Sequence, residues 1–228
     1  NWENHFNYTM NGGDIYAMKF SPDGMRLAIG GQVGAREIID TEKGTQIKDL
    51  NNNSYDIYAM NFSPDGTKLA VTGMDRKVWI YNASNGEKLL EKDIPGYGYG
   101  YGLAFSPDGK KIAIARSDKV ASVIDAISGK WILDLPHYGD VYSVAFNADE
   151  TKLATGSKDG MARIWTLDLH QFIGDACSLL THNMTREEWS WYMDDPDSDC
   201  LTCPAQGSFN RGSIWPWGRR ECQPCGGN

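Results

Sequence analysis

The sequence predicts an all-β protein built from four repeats of a four-stranded antiparallel sheet, and three observations lead there. The first is recurrence. "DIYAMKFSPDGMRLAIGG" from Asp14 returns as "DIYAMNFSPDGTKLAVTG" from Asp56, "GYGLAFSPDGKKIAIAR" from Gly100 and "DVYSVAFNADETKLATGS" from Asp140. The turns inside these segments begin at Ser21, Ser63, Ser106 and Asn147, steps of 42, 43 and 41 residues, and a period of that length marks stacked or radial architectures. The second is alternation. Ile15, Ala17 and Lys19 should face one way and Tyr16, Met18 and Phe20 the other, the period-two pattern of a strand. The third is turn chemistry. In "SPDG" proline presets φ, aspartate bonds its local backbone, and glycine takes the conformation side chains avoid.

The remaining elements follow in order. "MRLAIG", "TKLAVTG", "KKIAIA" and "TKLATGS" form second strands, whose Ala28, Ala70, Ala113 and Ala154 suit close approach of neighbouring sheets. Third strands end at "IID", "IYN", "VID" and "IWT", around Ile38, Ile80, Val123 and Ile164. The polar turns "TEKGTQI", "ASNGEKL" and "AISGKWI" then lead into a fourth strand.

From about Thr9 to Asp168, turn, spacing and strand endings resemble the WD-repeat β-propeller family. The resemblance implies blades at about 9–53, 54–98, 99–139 and 140–168 within a propeller region 1–168. The fourth unit is nearest the family pattern: His137 lies four residues before Val141, with Pro136 in place of the family's glycine, and Asp159 lies six before Trp165. The family's buried hydrogen-bond network then implies His137, Thr155, Asp159 and Trp165 as a structural set. Asp75 and Asp118 hold the equivalent tight-turn position in units two and three, while unit one has Val33 there. These residues brace turns and strands, and nothing in their spacing makes them catalytic. Four blades are few for a ring. The reading is the C-terminal half of a propeller whose earlier blades are absent, with two chains completing one ring as the alternative.

After "MARIWTLD" the strand pattern stops, and 169–199 reads as a helical tail packed on the last blade. Thr185 and Glu188 have capping-box spacing, with Trp189, Tyr192 and Met193 behind them. Ala176, Cys177, Asn183, Thr185, Glu188, Trp189, Cys203 and Pro204 resemble a short tail that follows WD-repeat propellers in some large multidomain proteins. That resemblance implies Cys177 as a partner for Cys203. Residues 200–228 form a cysteine-rich module. Cys200, Cys203, Cys222 and Cys225 make two C-x-x-C pairs with zinc-ribbon spacing, which fits a structural zinc site. "CLTCPAQGSF" also resembles ephrin-receptor-like extracellular modules, which implies disulfides among Cys177, Cys200, Cys203, Cys222 and Cys225. The segment between the pairs has too few aliphatic residues to form a core, so either staple is expected.

The compartment separates the two staples. Asn7, Asn52, Asn82 and Asn183 begin N-glycosylation sequons. They favour an extracytoplasmic chain with disulfides, and a cytosolic chain with zinc is the alternative. The net charge is −8 with no basic run, which argues against nucleic acid. No eighteen-residue apolar stretch occurs, so no membrane span is expected. The chain begins at Asn1 and reads as processed or partial. "DDPDSD" lacks the glycine and distal glutamate of a calcium loop. "PGYGYGYG" from Pro95 offers an aromatic contact face or, as the favoured reading, a strand whose glycines permit close approach near the axis. Nucleophile-elbow, phosphate-loop, H-E-x-x-H and dinucleotide signatures do not occur. The function expected is a non-enzymatic scaffold for other proteins, further blades or copies of itself. An extracellular filament subunit and a channel-site enzyme are the alternatives.

Overall fold

The computed structural model describes residues 7–9, 13–50 and 55–167. Four separate antiparallel sheets lie among them. The first contains β1 (Ile15–Phe20), β2 (Arg26–Gly31), β3 (Arg36–Asp40) and β4 (Gln46–Asp49), neighbours in chain order. The second contains β5 (Ile57–Phe62), β6 (Lys68–Gly73), β7 (Lys77–Asn82) and β8 (Lys88–Asp93). The third contains β9 (Gly100–Phe105), β10 (Lys111–Arg116), β11 (Val120–Asp125) and β12 (Trp131–Pro136). The fourth contains β13 (Val141–Phe146), β14 (Lys152–Ser157) and β15 (Ala162–Thr166). That is one strand fewer than the repeat predicts, counted among the described residues. The expected helical tail and cysteine module lie outside them.

Each first turn closes through its own side chains. Ser63 Oγ donates to Asp65 Oδ1 at 2.5 Å and accepts the Lys68 amide at 2.9 Å. Asp65 in turn accepts the Thr67 amide at 3.0 Å. Ser21 with Asp23 and Ser106 with Asp108 repeat the arrangement. Gly66 takes φ +69° there, as the turn requires. In the fourth unit Glu150 holds that position at φ +62°, a conformation that costs a side chain about 1–2 kcal/mol. Its carboxylate reaches the third sheet, where it accepts the Asp108 amide and pairs with Lys111 Nζ at 3.1 Å.

The alternation predicted for the first strands is interrupted once in every unit. The register shifts between Ile15 and Ala17, between Ile57 and Ala59, and between Val141 and Ser143. On the third sheet Ala115 and Arg116 pair with Gly102 and Gly100. The residues skipped are Tyr16, Tyr58, Tyr101 and Tyr142. Each is the extra residue of a β-bulge, which bends the strand and re-aims its side chain.

The cores sit between sheets. The first strands neighbour one another, β1 beside β5, β5 beside β9 and β9 beside β13. Ala28 and Ile38 pack with Met60, Phe62 and Leu69 of the second sheet. Ala70 and Ile80 pack with Leu103, Phe105 and Ile112 of the third, and Ala113 and Val123 with Leu153, Phe146 and Trp165 of the fourth. Each buried aliphatic or aromatic side chain contributes about 1.5–3 kcal/mol, so the junctions hold the array together and no sheet could bury these faces alone. Arg36, fully buried, lies at the first junction with its guanidinium 5.3 Å from the Trp79 ring and 5.6 Å from that of Tyr81.

Candidate functional site

The four bulged tyrosines form a continuous ladder across all four sheets. Ring centroids lie 6.0 Å apart for Tyr16 and Tyr58, 5.6 Å for Tyr58 and Tyr101, and 5.5 Å for Tyr101 and Tyr142. The rings are tilted by 46° to 51°, a favourable aromatic arrangement. Four backbone bonds put them at the same end of the sheets. The amides of Gln32, Met74, Ser117 and Lys158, each in the turn after a second strand, donate to the carbonyls of Asp14, Asp56, Tyr99 and Asp140. Tyr99 thus stands where the other units have aspartate. Burial and then the Asp56 carboxylate raise the pKa of Tyr58, and burial and then Asp140 do the same at Tyr101. Both phenols therefore stay neutral donors at physiological pH.

A cleft of about 580 Å³ opens at this end of the second sheet, beside the connection into the third. Its walls include Tyr55, Met74, Arg76, Trp79, Tyr97 and Tyr99. Tyr55, Met74 and Tyr97 are exposed, so the cleft presents large apolar surface to solvent, unlike an ordinary polar loop face. Close approach explains the glycines between the tyrosines. A Cβ on Gly100 would lie 2.0 Å from Thr72 Oγ1, and one on Gly98 2.6 Å from the Asp118 carboxyl carbon.

The structure brings three of the residues expected in the fourth unit together. His137 Nε2 lies 2.7 Å from Thr155 Oγ1, and Trp165 Nε1 donates to the same oxygen at 3.0 Å. His137 Nδ1 lies 2.9 Å from the Leu135 carbonyl, which can only accept, so Nδ1 carries the proton and the Thr155 hydroxyl donates to Nε2. Asp159 is engaged elsewhere. Arg163 Nη1 lies 2.8 Å from its Oδ2, and the amides of Met161 and Tyr138 donate to its carboxylate at 3.0 and 3.2 Å. Burial pushes the Asp159 carboxyl up, but these amide and guanidinium contacts outweigh it and hold it below the usual range.

The equivalent positions in the second and third units use different partners. Asp75 accepts the Trp79 indole N–H at 2.6 Å, and Val71 stands where the fourth unit has Thr155. Asp118 pairs with Arg116, whose buried guanidinium also donates to Ser122 Oγ at 2.9 Å and to the Pro95 carbonyl at 2.6 Å. Sequence reasoning missed Arg116 and the tyrosine ladder. The sequence shows only that tyrosine recurs, and that arginine enters, at one position of the repeat, which names neither the ring contacts nor the partners of Arg116.

Of the glycosylation residues, Asn7 is exposed. Asn82 is the last residue of β7 and half-buried, and its side-chain oxygen accepts the Ser84 amide at 2.9 Å. Asn52, Asn183, Cys177, Cys200, Cys203, Cys222 and Cys225 lie outside the described residues. Among the described residues no group of three His, Cys, Asp or Glu side chains could hold a metal ion, and no helix is long and apolar enough to cross a membrane.

Repeated meander sheets joined through their first and second strands define an all-β fold of WD-repeat propeller blades. Comparison with known families agrees. Residues 129–166 match the WD domain, G-beta repeat, and residues 1–63 match the anaphase-promoting complex subunit 4 WD40 domain. No curated protein matches the chain. WD40 repeat domains act as protein–protein interaction scaffolds, and their families are generally non-enzymatic.

Proposed function

We propose that this chain is a non-enzymatic scaffold that docks another protein on its aromatic rim, the tyrosine ladder with the adjoining cleft. The observation that carries this reading is the ladder. One aromatic residue recurs at the bulge of four strands more than forty residues apart, a repetition that the packing between sheets does not require. Tyrosines offer large, stiff, amphipathic contact area at small entropic cost, and they are enriched where proteins bind proteins. The carboxylates of Asp56 and Asp14 bear on Tyr16, that of Asp56 on Tyr58, and that of Asp140 on Tyr101. In a chain of net charge −8, this rim favours a segment that presents basic side chains over the ring faces.

The test is site-specific photocrosslinking. A photoreactive phenylalanine at position 101 should capture a defined partner, and one at Ile127, an exposed residue at the opposite end, should not. Capture from Ile127 alone would sink the reading.

A further inference from the structure

In every unit the turn after the second strand passes through a left-handed residue: Val33, Arg76, Lys119 and Gly160. Gly160 takes φ +80° there and Arg76 φ +55°. That backbone strains any residue with a side chain, and glycine would serve the second turn without strain, as it serves the fourth. The turn is held by bonds that do not involve the guanidinium. The Ile94 amide donates to the Arg76 carbonyl at 2.8 Å, and the Lys77 amide donates to Asp75 at 3.2 Å. Strain kept where a smaller residue would suffice points to a task for the side chain.

Arg76 lines the cleft together with Tyr55, Met74, Trp79, Tyr97 and Tyr99. It is exposed, and its guanidinium makes no ion pair among the described residues. The other charges of the cleft wall are committed. Lys77 Nζ lies 2.6 Å from Glu91 and 3.1 Å from Asp93, and Asp75 accepts the Trp79 indole N–H at 2.6 Å. Tyr97 is 87% exposed, so its ring is uncovered. The cleft thus offers one uncommitted cation beside open aromatic surface.

Charge decides what fits. A single guanidinium matches one carboxylate, which it can hold through two parallel N–H···O bonds. Phosphate groups are held by clusters of arginines, and the cation next to Arg76 is already paired. The rings beside it suit a flat apolar side chain.

We propose that the cleft captures an acidic residue flanked by aromatic ones, within the segment that docks on the rim. This rests on the docking role of the rim and adds a polarity to it. The segment's basic part lies over the ladder, beside Asp56 and Asp140, and its acidic part lies at Arg76.

The probe is a fluorescein-labelled, amide-capped peptide, Gly-Phe-Asp-Phe-Gly, titrated with the full chain and followed by anisotropy. It should bind at least about fivefold tighter than the same peptide with Asn in place of Asp, the range of a well-formed charge pair near a surface. Arg76→Gly should erase that preference while holding its thermal midpoint, since glycine adopts the left-handed turn freely. Lys119→Gly removes an equal charge from the same turn of the third unit, outside the cleft walls, and should leave the preference intact. Equal binding of the two peptides by the wild-type chain, an undiminished preference in Arg76→Gly, or a lowered midpoint in that variant would overturn the proposal. The preference without any crosslink from position 101 would support the cleft site and sink the ladder reading. A crosslink without the preference would do the reverse.

Discussion

His137 and Trp165 meet on one oxygen, Thr155 Oγ1, at 2.7 and 3.0 Å. The hydroxyl accepts from the indole and donates to the imidazole, so one small side chain satisfies two large ones in a buried site. Thr155→Val keeps the shape and removes both bonds, leaving the indole N–H and imidazole nitrogen without their partner. The expected loss is about 2–6 kcal/mol, given about 1–3 kcal/mol for each of the two groups left unsatisfied. Thr155→Ser should restore most of it. Urea denaturation of the three proteins measures both.

The third unit places a cation at the end of its second strand, where the fourth has Ser157. Arg116 is 3% exposed and ties Asp118, Ser122 and the Pro95 carbonyl together. Arg116→Ala should cost about 3–5 kcal/mol, because Asp118 loses its charge partner inside the fold. Arg116→Lys should rescue little, since an ammonium cannot reproduce the planar fork. Thermal unfolding followed by tryptophan fluorescence distinguishes these outcomes.

The first turns set an acid limit on stability. Hydrogen bonds from the Ser63 hydroxyl and then the Thr67 amide hold the Asp65 carboxyl below the usual range. At Asp108 burial pushes the other way, but the Ser106 hydroxyl, the Lys110 amide and the Lys111 charge outweigh it and bring the carboxyl to about 2. A depressed carboxyl stabilises the fold fully above its unfolded value of about 3.9 and ceases to do so as pH falls through its folded value. Denaturation midpoints should therefore be level near neutrality and drop between about pH 4 and about pH 2. Asp108→Asn should lower the neutral midpoint and flatten the acid drop.

Gly100 marks how closely the second and third sheets approach. Gly100→Ala drives a methyl into Thr72, and overpacking of this kind costs about 1–3 kcal/mol. Thr72→Ala in the same chain should recover part of the loss, because it removes the oxygen at 2.0 Å but leaves the Thr72 Cβ at 2.8 Å. A double-mutant cycle in urea measures the coupling.

Much of the fold was legible because each unit carries its own punctuation. Serine, aspartate and glycine close the first turn by local bonds, and nothing distant is needed to specify it. The small alanines of the second strands likewise announced close sheet contacts, and Ala28, Ala70 and Ala113 make them. The bulge at Tyr16 was not legible, since alternation carries no mark of an extra residue and the shift shows only in pairing with Gly30 and Gly31. The ladder was hidden for a related reason. Tyr16 and Tyr58 meet only once two sheets stand side by side, so each tyrosine alone reads as one more strand residue. Asp118 was visible as a turn residue, but Arg116 changes its partner, and family spacing does not encode that exchange.

The most direct test of the docking account is affinity for the partner crosslinked from position 101, measured with purified proteins by calorimetry. Tyr58→Ser with Tyr101→Ser should weaken binding at least tenfold, while Ile127→Ser leaves it unchanged and all three chains keep their circular dichroism. Undiminished binding by the folded double variant, or loss of binding in Ile127→Ser, would contradict it.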